Sequence, residues 1–186
     1  MKPDMLMRRG AVLDGPCRYT LSREWDDGLP NAAWLLCNPS TADAEIDDPT
    51  CRRMMHFTRA LGCGGFIAVN IWPLRATFPR DLWPILAAGA LTEAMEFAND
   101  AVIELARDRA HRMIVAFGTE PPKRDAARVE RLVQKFSRGG SRPLLCLGTN
   151  TEGWPLHPLA RGKFAIPNDR RLSEWVRPVA NREVPY

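Results

Sequence analysis

Residues 32–41 read AAWLLCNPST, and this stretch decides the fold. The apolar run AAWLLC, residues 32–37, shows no alternation, the pattern of a strand buried on both faces, and it stops abruptly at Asn38-Pro39-Ser40-Thr41. A strand that opens into a polar loop at its C-terminal end is the repeating unit of an open α/β sheet.

Downstream the unit recurs. Asp48-Pro49 resembles a helix start, because an Asp side chain accepts N-terminal backbone N–H bonds and Pro is preset for the first turn. Met54, Phe57, Thr58 and Leu61 follow at helical spacing, and Gly62 offers a stop. A second buried strand, GFIAVNIW, starts at Gly65 and ends in the irregular PLRATFPRD. A long helical stretch, expected to break near Gly89 and near Asn99-Asp100, leads to a third strand over residues 112–117, closed by Gly118. A helix over residues 124–136 precedes a fourth strand, PLLCLG at 143–148, and a loop carrying HPLARGK. Upstream, CRYTLSREW from Cys17 to Trp25 alternates in a strand-like manner before the turn residues DDGLPN. The reading is a three-layer α/β/α domain around a central, mostly parallel four-stranded sheet, plus an N-terminal strand or hairpin. One domain spans 1–186, with 1–31 as an N-terminal extension and 32–165 as the core.

Composition agrees with a self-sufficient core: 186 residues, 45% hydrophobic and 26% charged. No apolar run approaches the roughly 20 residues that cross a bilayer. The start MKPDMLMRRG lacks the apolar stretch of a secretory signal. A cytoplasmic protein without a membrane partner is expected. Cys17, Cys37, Cys51, Cys63 and Cys146 are scattered with no C-x-x-C pair, which argues against a disulfide framework and against a zinc or iron–sulfur cage. The net charge of +4 is compatible with a polyanionic partner, but the basic residues occur in pairs (Arg52-Arg53, Lys123-Arg124, Arg170-Arg171) rather than in a tract.

In open α/β sheets ligands bind beyond the carboxyl ends of the strands. Asn38, Asn70 with the following Arg75, Gly118 and His157 are therefore expected to converge on one rim. The loop NPSTADAEIDDPT lacks the glycines and the Lys-Ser/Thr ending of a phosphate-cradling loop. G-x-S-x-G and H-E-x-x-H are also absent, so the hydrolase-elbow and zincin templates fail. Asn38 can position a water or simply close an Asx-turn. Asp43, Asp47 and Asp48 can supply a general base, hold a divalent cation, or cap the next helix. Asn70, an amide inside an apolar run, must find partners once buried: a nucleobase edge or the protein backbone. Arg75 can fork onto phosphate or carboxylate, or make a surface ion pair. His157 can donate to charge developing on a leaving group, or be structural. Trp72 and Phe78 can stack on a base or pack in the core.

Four landmarks in this order, LLCNPS, IAVNIWPLRAT, IVAFG and HPLARGKF, resemble the uracil-DNA glycosylase superfamily over residues 32–164. More closely, LLCNPSTAD, DDPTCRR, VNIWPLRAT and HPLA resemble a bacterial and phage family described only as domain of unknown function 1643. The superfamily resemblance implies that Asn38 orients an attacking water, Ser40 shapes the base pocket and Asn70 reads the Watson–Crick edge. His157 would stabilise charge on the departing base, and Leu159 would fill the gap left by a flipped nucleotide. Where the superfamily places an aromatic stacking residue, DDPTCRR offers Thr50, Arg52 and Arg53. The final loop is also shorter than in the superfamily. Asp48, Thr50, Arg53 and Arg75 then stand as contacts to a ribose or phosphate, with Asp43 counted among the substrate-binding residues of the same loop. No cofactor and no metal are implied. The leading expectation is a glycosylase-like enzyme acting on a nucleobase in DNA or in a nucleotide. The alternatives are a non-catalytic nucleic-acid or nucleotide binding module, and a divalent-metal phosphoesterase built on Asp43, Asp47 and Asp48.

Overall fold

A computed structural model describes residues 7–178. The expectation about the opening residues 1–6 lies outside the described residues. The chain forms β1 (Arg8–Asp14), β2 (Cys17–Glu24), β3 (Asn31–Leu36), α1 (Pro49–Ala60), β4 (Gly65–Asn70), α2 (Pro79–Ala87) and α3 (Glu93–Arg109). It continues through β5 (Arg112–Val115), α4 (Glu120–Arg124), α5 (Ala126–Phe136), β6 (Leu144–Cys146), a 3-10 turn (Gly162–Phe164) and β7 (Ser173–Glu174). All seven strands join one sheet in the order β1-β2-β4-β3-β5-β6-β7.

The sheet is thus larger than the four strands expected from sequence. Its centre, β4-β3-β5-β6, is the parallel part and contains the four buried runs. The β1–β2 hairpin adds to the β4 edge antiparallel, and β7 adds to the β6 edge antiparallel. Residues 8–24 are therefore sheet rather than extension, and the core runs past 165 to Trp175, which is 6% exposed. The N-terminal strand or hairpin expected from sequence is this β1–β2 pair, whereas the residues of β1 itself and β7 escaped the sequence reading because β1 is mostly exposed and β7 is two residues long, so neither carries an apolar signature.

Alternation of side chains across the sheet divides the core in two. Ala33, Leu35, Val69, Met113 and Val115 pack on one face with Leu82 of α2, Ile103 and Ala106 of α3, and Val129, Leu132 and Phe136 of α5. Ala32, Trp34, Leu36, Phe66, Ala68 and Ile114 pack on the other with Met54, Met55 and Phe57 of α1. The strands are apolar without alternation because both faces are covered. From β3 the chain moves to β4 on one side through α1, and later reaches β5 on the other side through helices of the opposite face. The C-terminal end of β3 is therefore the point where the winding reverses, the place where open α/β sheets leave a crevice.

Two local predictions meet different fates. Asp48 is the N-cap of α1, its Oδ1 accepting from Cys51 N at 2.7 Å, with Pro49 opening the helix. The expected break at Asn99-Asp100 does not occur. Helix α3 runs through it, because Asn99 is fully buried and its Nδ2 donates to the carbonyls of Asn70 (3.0 Å) and Ile71 (3.4 Å). A tertiary bond has overridden the turn preference of Asn.

Candidate functional site

Beyond Leu36 the parallel ladder continues for two more bonds, from Ile71 N to Leu36 O (2.9 Å) and from Trp72 N to Cys37 O (3.0 Å). The loops after β3 and β4 are then tied by Ala76 N to Pro39 O (2.9 Å) and by Arg75 Nε to Ser40 O (3.3 Å). Asn38 locks the seam: its Nδ2 donates to Pro39 O at 3.0 Å and to Ala76 O at 2.9 Å. Two carbonyls on one side dictate which amide atom faces them, so Oδ1 is left as the acceptor on the outer side.

That outer side faces a cavity of about 590 Å³ at the carboxyl ends of the central strands. Asn38, Ser40, Asp48, Thr50, Asn70, His157 and Leu159 all line it. Its apolar wall comes from Leu21, Leu36, Met54, Phe117 and Leu156, and Phe78, 52% exposed, stands on its rim. The volume is within the usual range for small-molecule sites.

Asn70 is only 1% exposed, and neither Nδ2 nor Oδ1 has a hydrogen-bond partner. Its main chain is held from behind. Asn99 of α3 donates to the Asn70 and Ile71 carbonyls, and Arg128 of α5 donates to the Ile71 carbonyl through Nε at 3.0 Å. Arg128 is in turn paired with Glu96. An amide whose two ends are both unspent is uncommon among buried polar groups, which are nearly always bonded.

His157 is half-buried behind Gly118, whose φ of 79° suits glycine and whose missing Cβ would stand 3.7 Å from the His157 Cβ. Its Nδ1 accepts from Leu159 N at 3.1 Å, which assigns the proton of the neutral ring to Nε2. Burial pushes the imidazole down to about 4, against the pull of Asp48 in the other direction. Near neutral pH the ring is an uncharged donor. Cys37 also lines the cavity, but burial pushes its thiol up to about 12, so it is no thiolate at neutral pH.

Three residues proposed from sequence stand outside the cavity wall. Asp43 accepts from Glu45 N (2.9 Å) and Ile46 N (2.7 Å), and these backbone bonds hold its carboxyl below the usual range. Arg53, on the outer side of α1, donates to Pro158 O (3.4 Å) and Ile166 O (2.5 Å), bonds Asn168 Oδ1, and covers the Phe57 ring. It fastens the loop that carries His157. Arg75, exposed, donates from Nε to Ser40 O across the loop seam. Trp72 is core, 3% exposed and edge-on to Trp83.

The acidic triplet does not converge on a cation. Asp47 pairs with Arg23 (2.7 Å) and Arg9 (3.1 Å), Asp48 caps α1, and Asp43 closes its own turn. Among the described residues no group of three His, Cys, Asp or Glu is arranged to hold a metal ion, and no helix is long and apolar enough to cross a membrane.

Sequence reading missed Arg18, which lies on β2 and also lines the cavity while only 4% exposed. A charged residue inside the alternating CRYTLSREW is its only trace, and that alternation reads only as an N-terminal strand or hairpin. Comparison with curated proteins and with solved structures returns no match. Residues 18–159, most of the chain, match the family described as protein of unknown function (DUF1643), and the chain belongs to that family.

Proposed function

We propose that the cavity receives a nucleobase and that the chain is a glycosylase-like enzyme acting on the N-glycosidic bond of that base, in DNA or in a nucleotide. The observation that carries the reading is Asn70: a buried amide on the cavity wall with donor and acceptor both free. Such an amide pairs in two-point fashion with a base edge that presents an acceptor beside a donor. The resemblance of the four loop landmarks to the uracil-DNA glycosylase superfamily supports the same reading, as does the α/β/α layering.

The chemistry follows from the other two groups. Asn38 Oδ1 accepts from a water and turns the water's lone pair toward the anomeric carbon. As the C–N bond breaks, its electron pair leaves with the base, and the neutral His157 donates from Nε2 to the oxygen where that charge collects. The water forms the new C–O bond, and its proton ends on the released base or in solvent. With Nδ1 accepting from Leu159 N, the neutral ring keeps its proton on Nε2, so the donor is in place without the cost of holding a buried cation.

A binding module without catalysis is the second reading, and one observation favours it. Among the described residues the cavity has two carboxylates: Asp48 is buried with Oδ1 accepting from Cys51 N, and Glu120 is exposed with Arg124 at 3.9 Å, so neither stands wholly free to deprotonate the water. The test uses excess protein over oligonucleotides carrying uracil, hypoxanthine or alkylated bases, and over free nucleotides, with released base followed by mass. Release that disappears in His157→Gln and Asn38→Ala supports the enzyme. Saturable binding with no release supports the module, and neither binding nor release rejects both.

A further inference from the structure

The described part of the chain buries three arginines: Arg18 at 4% exposure, Arg23 at 0% and Arg128 at 7%. Arg23 is paired with Asp47, and Arg128 with Glu96. Arg18 has no carboxylate partner among the described residues. Its Nη1 donates to Ala42 O at 2.6 Å, and its Nε, also buried, has no partner. A buried guanidinium with no ion pair carries a desolvation cost that a single backbone carbonyl does not offset. The other two arginines mark how this fold treats a buried cation when only structure is at stake.

Arg18 lines the same cavity as Asn70, beside the apolar Leu21, Leu36 and Met54. It is the second nearly fully buried side chain of that wall with an unspent hydrogen-bonding atom, and it arrives from β2, an element independent of the β4 end that carries Asn70. Asp48, the acid whose field acts on it most, is beyond ion-pair distance, and its Oδ1 accepts from Cys51 N.

We infer that Arg18 is a specificity-determining residue of the cavity, and that the ligand meets it with an oxygen bearing full or partial negative charge. This deepens the nucleobase reading and rests on it for the carrier of that oxygen. An oxo-base supplies one as a ring carbonyl, and a nucleotide supplies one as phosphate. The apolar neighbours favour the carbonyl, since a phosphate in that setting would bring a second desolvation cost. A base with a carbonyl is then preferred over its amino counterpart, because an amino group can only donate and would confront the guanidinium with a second donor.

The experiment is calorimetric titration of the whole chain, wild type, Arg18→Met and Arg18→Lys, with uracil, hypoxanthine, adenine, deoxyuridine monophosphate and inorganic phosphate. Base release from a uracil-containing oligonucleotide is measured in parallel. Hypoxanthine is expected to bind at least about tenfold more tightly than adenine, and uracil and hypoxanthine to lose about tenfold or more in Arg18→Met, with partial recovery in Arg18→Lys. Thermal melting of ligand-free Arg18→Met is expected to be no lower than wild type, since an unpaired buried charge has been removed. Arg18-dependent binding of phosphate and the monophosphate, without binding of free bases, keeps the inference and assigns the oxygen to phosphate. Unchanged affinities in Arg18→Met, equal affinity for adenine and hypoxanthine, a lowered melting temperature, or no binding of any probe overturns it. Arg18-dependent binding without base release leaves the inference standing and removes only the catalytic reading.

Discussion

Replacing Asn70 with leucine is expected to stabilise the ligand-free protein while destroying its binding site. In the native chain both amide atoms of Asn70 are buried and unbonded. Each buried polar group left unsatisfied costs about 1–3 kcal/mol, and leucine, with the same branching at Cγ, abolishes both. Its extra volume is directed at a wall of the cavity, so overpacking removes only part of the gain. A net increase of about 1–3 kcal/mol corresponds to a melting temperature higher by roughly 2–10 °C for a chain of this size. Asn99→Leu is the matched control. That amide is equally buried and its Oδ1 is also unbonded, but its Nδ2 serves the Asn70 carbonyl and shares the Ile71 carbonyl with Arg128, so the same substitution removes both donations and is expected to cost about 1 kcal/mol. Urea denaturation of the three proteins, with equal slopes, supplies the comparison. If Asn70→Leu is destabilised as much as Asn99→Leu, the Asn70 amide is satisfied in the free protein and the reasoning from its orphan atoms fails.

Other perturbations follow from the same contacts. His157, held down to about 4, is expected to titrate near that value by NMR rather than near 6.5. Because the unfolded ring takes its proton first, stability is full above about 6.5 and falls as pH drops toward 4, by at most about 1.4 kcal/mol per pH unit and less for a half-buried ring. His157→Gln is expected to flatten that slope, and a titration midpoint near 6.5 would exclude the buried neutral donor. Asp48→Ala removes the N-cap of α1 and is expected to cost about 1 kcal/mol, most of which Asp48→Ser restores. Equal melting of all three would show that the cap is not used. Arg53→Ala is expected to speed amide exchange across residues 158–168 and to weaken base binding without altering exchange in β4. Uniform exchange changes throughout the sheet would point to global destabilisation instead.

Much of this arrangement is legible in the sequence. The unbroken apolar runs at 32–37 and 65–69 announce strands covered on both faces, and the polar residues that end them are the ones found at the cavity. Asn38, Asn70 and His157 could be grouped because parallel strands deliver their C-terminal ends to one edge. Other features depend on contacts that have no local signature. Arg18 belongs to a strand at the sheet margin, and nothing in CRYTLSREW indicates that the guanidinium turns under the β3–α1 loop to reach Ala42 O. Arg53 and Arg75 read as phosphate ligands because, in sequence, an arginine looks the same whether it holds an anion or a backbone carbonyl. The acidic loop misleads for a related reason. Closeness in sequence put Asp43, Asp47 and Asp48 together, but a turn, an arginine pair and a helix cap send the three carboxylates to separate partners.

The central claim is that the Asn70 amide is the unspent half of a contact completed by a base edge. The most direct measurement is the 15N-resolved side-chain NH2 resonance of Asn70, assigned by its disappearance in Asn70→Leu and followed while hypoxanthine and uracil are titrated into the whole chain. The account expects a saturable downfield shift of that pair with slowed solvent exchange, parallel to the binding isotherm. Saturable binding of either base with the Asn70 NH2 signals unmoved would contradict it.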